Sequence, residues 1–207
     1  MSEKQPFEQD LAEIRNLMEK SAKFISLSGL SGILAGVYAL LGAAAAWYFL
    51  DFPLGRMEYS DGYAQDLSTA ANVALIALVV LAASLVTGFE LSARKARKQG
   101  ADIWGAPTRR LIVNLAIPLV TGGVFIGLMV LQARYALVAP VCLIFYGLAL
   151  INASTNLFEE VRYLGYSEIV LGLVAMALPG FGFLFWAIGF GVFHIFYGAL
   201  MYRKYDR

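Results

Sequence analysis

Six long apolar runs separated by short polar connections fill most of the chain. Each holds roughly the 20 residues an α-helix needs to cross about 30 Å of hydrocarbon. The pattern predicts spans at 24–50, 68–93, 111–132, 136–158, 161–178 and 181–202. The first 23 residues follow a different rule: Phe7, Leu11, Ile14 and Met18 recur at helical spacing among charges. That spacing predicts an amphipathic helix lying on the membrane surface or docking a partner protein through residues 7–23. The expected fold class is therefore all-α, a polytopic bundle of six transmembrane helices in three hairpins, with segment 1–23 ahead of a membrane domain at 24–207.

Charge fixes the expected orientation. Of 16 Lys and Arg residues, 14 fall on one side of these spans: Lys4, Arg15, Lys20, Lys23, Arg94, Lys95, Arg97, Lys98, Arg109, Arg110, Arg162, Arg203, Lys204 and Arg207. Only Arg56 and Arg134 fall on the other, where Asp51, Glu58, Asp61 and Asp66 accompany Arg56. Positive-inside bias then places both termini in the cytoplasm. Hydrophobic residues make up 59% of the chain and charged residues 15%, and the apolar surplus over a soluble domain must face lipid. Acidic residues Glu3, Glu8, Asp10, Glu13 and Glu19 do not suit a cleaved signal peptide, so the first span is expected to remain in place.

Inside lipid the close approach of helices depends on small residues. The first span offers Gly29, Gly32, Gly36, Ala39, Ala43 and Ala46 at 3–4 spacing, the fifth Gly165, Gly172 and Ala175, and the sixth Ala187, Gly191 and Gly198. Similar stripes run through the second span (Ala74, Ala77, Ser84, Gly88) and the third (Gly122, Gly123, Gly127). Pro118 removes the hydrogen bond to the Asn114 carbonyl and is expected to bend the third span. Two short stretches recur: Ile144-Phe145-Tyr146-Gly147 as Ile195-Phe196-Tyr197-Gly198, and Ser31 to Gly36 resembles Ser167 to Gly172, both in the same direction.

Two ionisable residues sit in these stripes. Glu168 and His194 are nearly equidistant from the Pro179-Gly180 turn and should meet about 10 to 12 Å inside the basic boundary by helical rise. A charge at such depth is costly, so an intramembrane acid beside the only histidine is a functional candidate, as a proton-accepting pair or a cation site. The other explanation is that the two satisfy each other and fix the packing of the last two spans. Ser28, Asn114 and Asn152 join them as a candidate polar vestibule. One histidine and one cysteine, Cys142, cannot build a zinc or haem site of ordinary ligand count. No phosphate loop or nucleophile motif occurs, so neither cofactor nor enzymatic activity is expected, and nucleic acid is not an expected partner.

The six spans, the Gly-studded helices and the Pro179-Gly180 turn resemble the HdeD-like family of bacterial inner-membrane proteins, most closely over 164–202. That resemblance implies a bacterial inner membrane and a stress-related role, and transfers no site residue. Two functions follow. One is a non-enzymatic structural or regulatory membrane protein that engages lipid or a partner. The other is a small proton-coupled transporter or channel using Glu168 and His194, which needs a second copy of the chain or an internal cleft for conduction.

Overall fold

The computed structural model describes residues 28–50, 67–98 and 104–206. The amphipathic helix expected over 7–23 and the acidic connection over 51–66 lie outside the described residues. Six helices follow in order: α1 (Gly29–Leu50), α2 (Leu67–Lys98), α3 (Ala106–Leu131), α4 (Val138–Ala153), α5 (Glu159–Ala177) and α6 (Gly182–Asp206). A 3-10 turn at Tyr135–Leu137 leads into α4. Helix α6 widens into π-helix at Ala187–Phe193 and again at Tyr202–Asp206. Every helix except α5 is long and apolar enough to cross a membrane. α5 has 19 residues and carries Glu159, Glu160, Arg162 and Glu168, which sets it apart. The chain is thus a multi-pass helical membrane protein.

The helices form a sequence of neighbours: α2 against α1, α1 against α6, α6 against the α4–α5 pair, and α3 against α4. The two outer helices show broad apolar surface, including Leu78, Leu85 and Phe89 on α2 and Ile117, Val120 and Val124 on α3. Their hydrocarbon faces suit lipid contact. α2 continues past Ala93 to Lys98, so Lys95, Arg97 and Lys98 occupy its last turn, where the helix dipole favours cations.

Glycines set two interfaces where backbone meets backbone. In the α4–α5 interface, a Cβ on Gly147 would fall 2.6 Å from the Gly165 carbonyl, and one on Gly172 3.0 Å from the Pro140 carbonyl. In the α1–α6 interface, a Cβ on Gly198 would fall 2.6 Å from the Ile33 nitrogen, and one on Gly36 2.6 Å from the Gly191 carbonyl. A Cβ on Gly29 would collide with the Tyr202 backbone, and one on Gly32 would press on Gly198. The recurring motifs explain this likeness. Gly147 meets Gly165 and Ile169 much as Gly198 meets Gly29 and Ile33, so α4 and α5 repeat the contact that α6 makes with α1. In this correspondence Gly32 stands where α5 has Glu168, and Leu143 where α6 has His194. By contrast Gly88, Gly123 and Gly127 have nothing within 4 Å, so the second and third spans leave much of their small-residue faces open.

Pro118 lies inside α3, and its missing N–H leaves the Asn114 carbonyl without its helical donor. Asn152 of α4 supplies the replacement: its side-chain nitrogen donates to that carbonyl at 2.7 Å. We expect Asn152→Ala to lower the unfolding free energy by about 1 kcal/mol, the net worth of one such bond. In a Pro118→Ala background the same change is expected to cost almost nothing, because alanine restores the donor; a double-mutant cycle in mixed micelles checks this.

Two side-chain clasps close the end that carries most basic residues. Asp206 accepts from the Gly29 N–H at 2.8 Å and from the Ser28 hydroxyl at 3.0 Å, and pairs with Lys95. Glu160 accepts from Lys204 at 2.7 Å and from the Tyr205 hydroxyl at 3.1 Å, while Tyr205 stacks on Phe158. Partial burial raises the Glu160 carboxyl. Hydrogen bonds from Lys204, its own backbone and Tyr205 more than offset this and hold it below the usual carboxylate range.

Candidate functional site

The site lies where α5 and α6 meet, with one residue from α4. The helical register inferred from the Pro179-Gly180 turn brings Glu168 and His194 together: Nδ1 of His194 lies 3.6 Å from Oε1 of Glu168. Gly180 takes φ 93° in that turn, a conformation glycine adopts without steric cost. Both side chains are buried, Glu168 at 0% exposure and His194 at 7%.

The π-helical stretch Ala187–Phe193 shapes the floor of the site. Such widened turns displace backbone carbonyls from the regular ladder. Here the Gly189 carbonyl accepts from His194 Nδ1 at 3.0 Å. Gly189 also makes room for the acid, because a Cβ there would collide with Glu168 Oε2. On the other side of the ring, the Tyr146 hydroxyl lies 2.7 Å from His194 Nε2. Phe190 stacks against the imidazole at 5.8 Å and meets Tyr146 at 4.9 Å between centroids, so aromatic surfaces hold the ring in place.

These contacts constrain the protons. A carbonyl can only accept, so Nδ1 carries hydrogen. Nε2 then accepts from the tyrosine hydroxyl when the ring is neutral, or donates to the same oxygen when it is an imidazolium. One arrangement of heavy atoms therefore serves both protonation states, and only the hydroxyl hydrogen must rotate. Glu168 is in the opposite position. Among the described residues neither of its oxygens has a hydrogen-bond partner, although both are fully buried. A buried carboxyl without donors is costly and calls for an explanation of its own.

The five polar candidates separate into three places. Glu168 and His194 form the site. Asn114 and Asn152 meet each other at the proline-freed carbonyl of α3. Ser28 belongs to the Asp206 clasp at the basic end. Tyr146 is the member of this cluster that sequence reasoning did not point to. The signal was available in the repeated Ile-Phe-Tyr-Gly motif, whose second tyrosine, Tyr197, reaches Ser167 of α5 at 3.3 Å. Among the described residues no three His, Cys, Asp or Glu side chains gather as metal ligands, and Cys142 is a free thiol.

The chain matches no protein-family model, no curated protein and no solved structure. These comparisons give the HdeD-like resemblance no support, and the site has to be interpreted from its own geometry.

Proposed function

We propose that the protein is a small proton-coupled transporter or proton channel in which Glu168 and His194 exchange the proton and Tyr146 completes the relay. One observation carries this reading: Glu168 is wholly buried with no hydrogen-bond donor among the described residues, 3.6 Å from the imidazole Nδ1. A purely structural pair calls for both members to be satisfied internally, and only His194 is. The ring, whose partners suit it charged or neutral, then passes protons between the tyrosine side and the acid side.

The same reading takes the protein as non-enzymatic, with both termini in the cytoplasm, as the bias of basic residues supports. A bacterial inner membrane and a stress-related role draw on the HdeD-like resemblance. Residues 7–23 and the exposed faces of α2 and α3 are the segments open to a partner protein or a second copy of the chain.

The test is proton flux into liposomes under an imposed pH gradient. Glu168→Gln and His194→Ala are each expected to lower the wild-type flux by roughly tenfold or more, as removal of a relay member does. Tyr146→Phe is expected to give an intermediate loss of flux and to lower the unfolding free energy by about 1 kcal/mol, the worth of the hydrogen bond it removes from His194. Wild-type liposomes no more permeable than empty ones would overturn the proton-channel reading and leave coupled uptake of a solute, and flux unchanged in both the acid and histidine variants would overturn the role of the pair.

A further inference from the structure

The surroundings of Glu168 differ sharply in its two axial directions. Toward the basic end, the helices fill with bulky apolar side chains: Leu150, Leu157, Val161, Leu164 and Met201 form one buried cluster. Beyond that plug stand the Asp206 and Glu160 clasps. Toward the opposite end glycines and alanines line one face, beside the packed rings of Trp186 and Phe190. Gly172 packs on Pro140, Gly189 lies against the acid itself, and Ala175 follows one turn beyond Gly172. At that end lies an open cavity of about 400 Å³ lined by Ala136, Leu137, Pro140, Ala175, Met176 and Pro179. That volume has room for several waters at about 30 Å³ each.

Ala175 lies in the last turn of α5, where carbonyls have no donor within the helix, so its carbonyl can accept from water. Ala175 lies seven residues from Glu168, about 10 Å by helical rise. Apolar side chains stand in the interval, Ile144 against Gly172 and Leu143 against Gly189. Leu143 is 0% exposed and sits one turn from Pro140. Its Cδ2 would lie 2.6 Å from a Cβ on Gly189, a point that also collides with Glu168 Oε2, so leucine and carboxylate converge on the same spot.

We propose that Glu168 is reached from this cavity, on the side opposite the basic residues, and that Leu143 is the gate between them. The proposal deepens the transport reading and rests on it for its purpose, but the access route has its own readout. An apolar side chain in a narrow passage blocks water by dewetting, so trimming or moving it admits water. The apolar plug on the other side leaves that direction closed in this conformation.

The experiment uses full-length protein with Cys142→Ala and Glu168→Cys, labelled by a membrane-impermeant methanethiosulfonate added to one side at a time. Lys204→Cys in the same background reports the basic side. Labelling of the cysteine at 168 is expected only from the side opposite the Lys204 reporter, and Leu143→Ala is expected to accelerate it about tenfold. Leu164→Ala, in the plug, is expected to leave that rate unchanged. Ala136→Phe, which fills the cavity, should slow labelling, so a loss-of-rate variant guards against a misfolded Leu143→Ala protein. Labelling from the basic side, or a rate indifferent to both Leu143→Ala and Ala136→Phe, overturns the gate. If labelling behaves as expected while wild-type liposomes pass no protons, the access route stands and the proton-channel reading falls.

Discussion

Gly198→Val is expected to separate α1 from α6 and to lower the unfolding free energy by about 3 kcal/mol, the upper range for overpacking a close contact. The magnitude follows from what the new atoms would meet. Already at the Cβ position the nearest atoms are backbone: the Ile33 nitrogen at 2.6 Å and the Gly29 carbonyl at 2.9 Å. A flexible side chain can swing aside, but two packed backbones can only move apart as helices. Moving them apart also breaks the register at Gly32 and Gly36, which lie along the same contact. The interhelical packing that replaces hydrophobic burial in lipid is then lost over several turns. Gly127→Val is the matched control, since a Cβ there meets nothing within 4 Å; its expected change is within about 0.5 kcal/mol. Unfolding in mixed detergent micelles, followed by circular dichroism, distinguishes the two. Equal effects at both positions would mean that the α1–α6 contact is not what holds this bundle together.

This contrast shows what the sequence could convey. Hydropathy and small-residue spacing locate the helices and the stripes, because both depend on local periodicity. They do not say which stripe meets which helix. Gly29, Gly32 and Gly36 lie in contact while Gly123 and Gly127 stay open, although the two sets look alike along the chain. The Glu168 and His194 pair was legible because a tight turn between two helices fixes their relative register, leaving one distance to count. Tyr146 was not, since it comes from α4 and reaches the imidazole only through tertiary packing. The π-helical turn that carries the Gly189 carbonyl has no sequence signature comparable to a proline. Pro118 did announce an orphaned carbonyl at Asn114; that Asn152 would answer it depends on how α3 lies against α4.

The clearest case of a role hidden in plain sequence is Asp206, which falls among the basic tail residues. Its side chain is only 8% exposed and joins three helix ends at once, with Lys95 at 15% on the other side of the ion pair. α1 begins with backbone N–H groups that have no partner within the helix, and a carboxylate there satisfies the Gly29 donor and complements the dipole. Lys95 stands in the last turn of α2, where a cation is likewise favoured. Asp206→Ala removes the acceptor for Gly29 and for Ser28 and breaks a largely buried pair, so a loss of about 3 kcal/mol is expected. Asp206→Asn keeps an oxygen for the two donors but not the charge, and should cost about 1 to 2 kcal/mol. Ser28→Ala removes one bond and should cost about 1 kcal/mol. A ranking in which Asp206→Ala destabilises most, Asp206→Asn less and Ser28→Ala least separates charge, shape and cap. If Asp206→Asn proves as stable as wild type, the ion pair with Lys95 adds nothing. Flux measured on the same variants then tests the link to the site. Because the plug of Leu150, Leu164 and Met201 stands between this clasp and Glu168, weakening the clasp alone should leave proton passage through the gate at Leu143 unchanged, even as it loosens the basic end of the bundle.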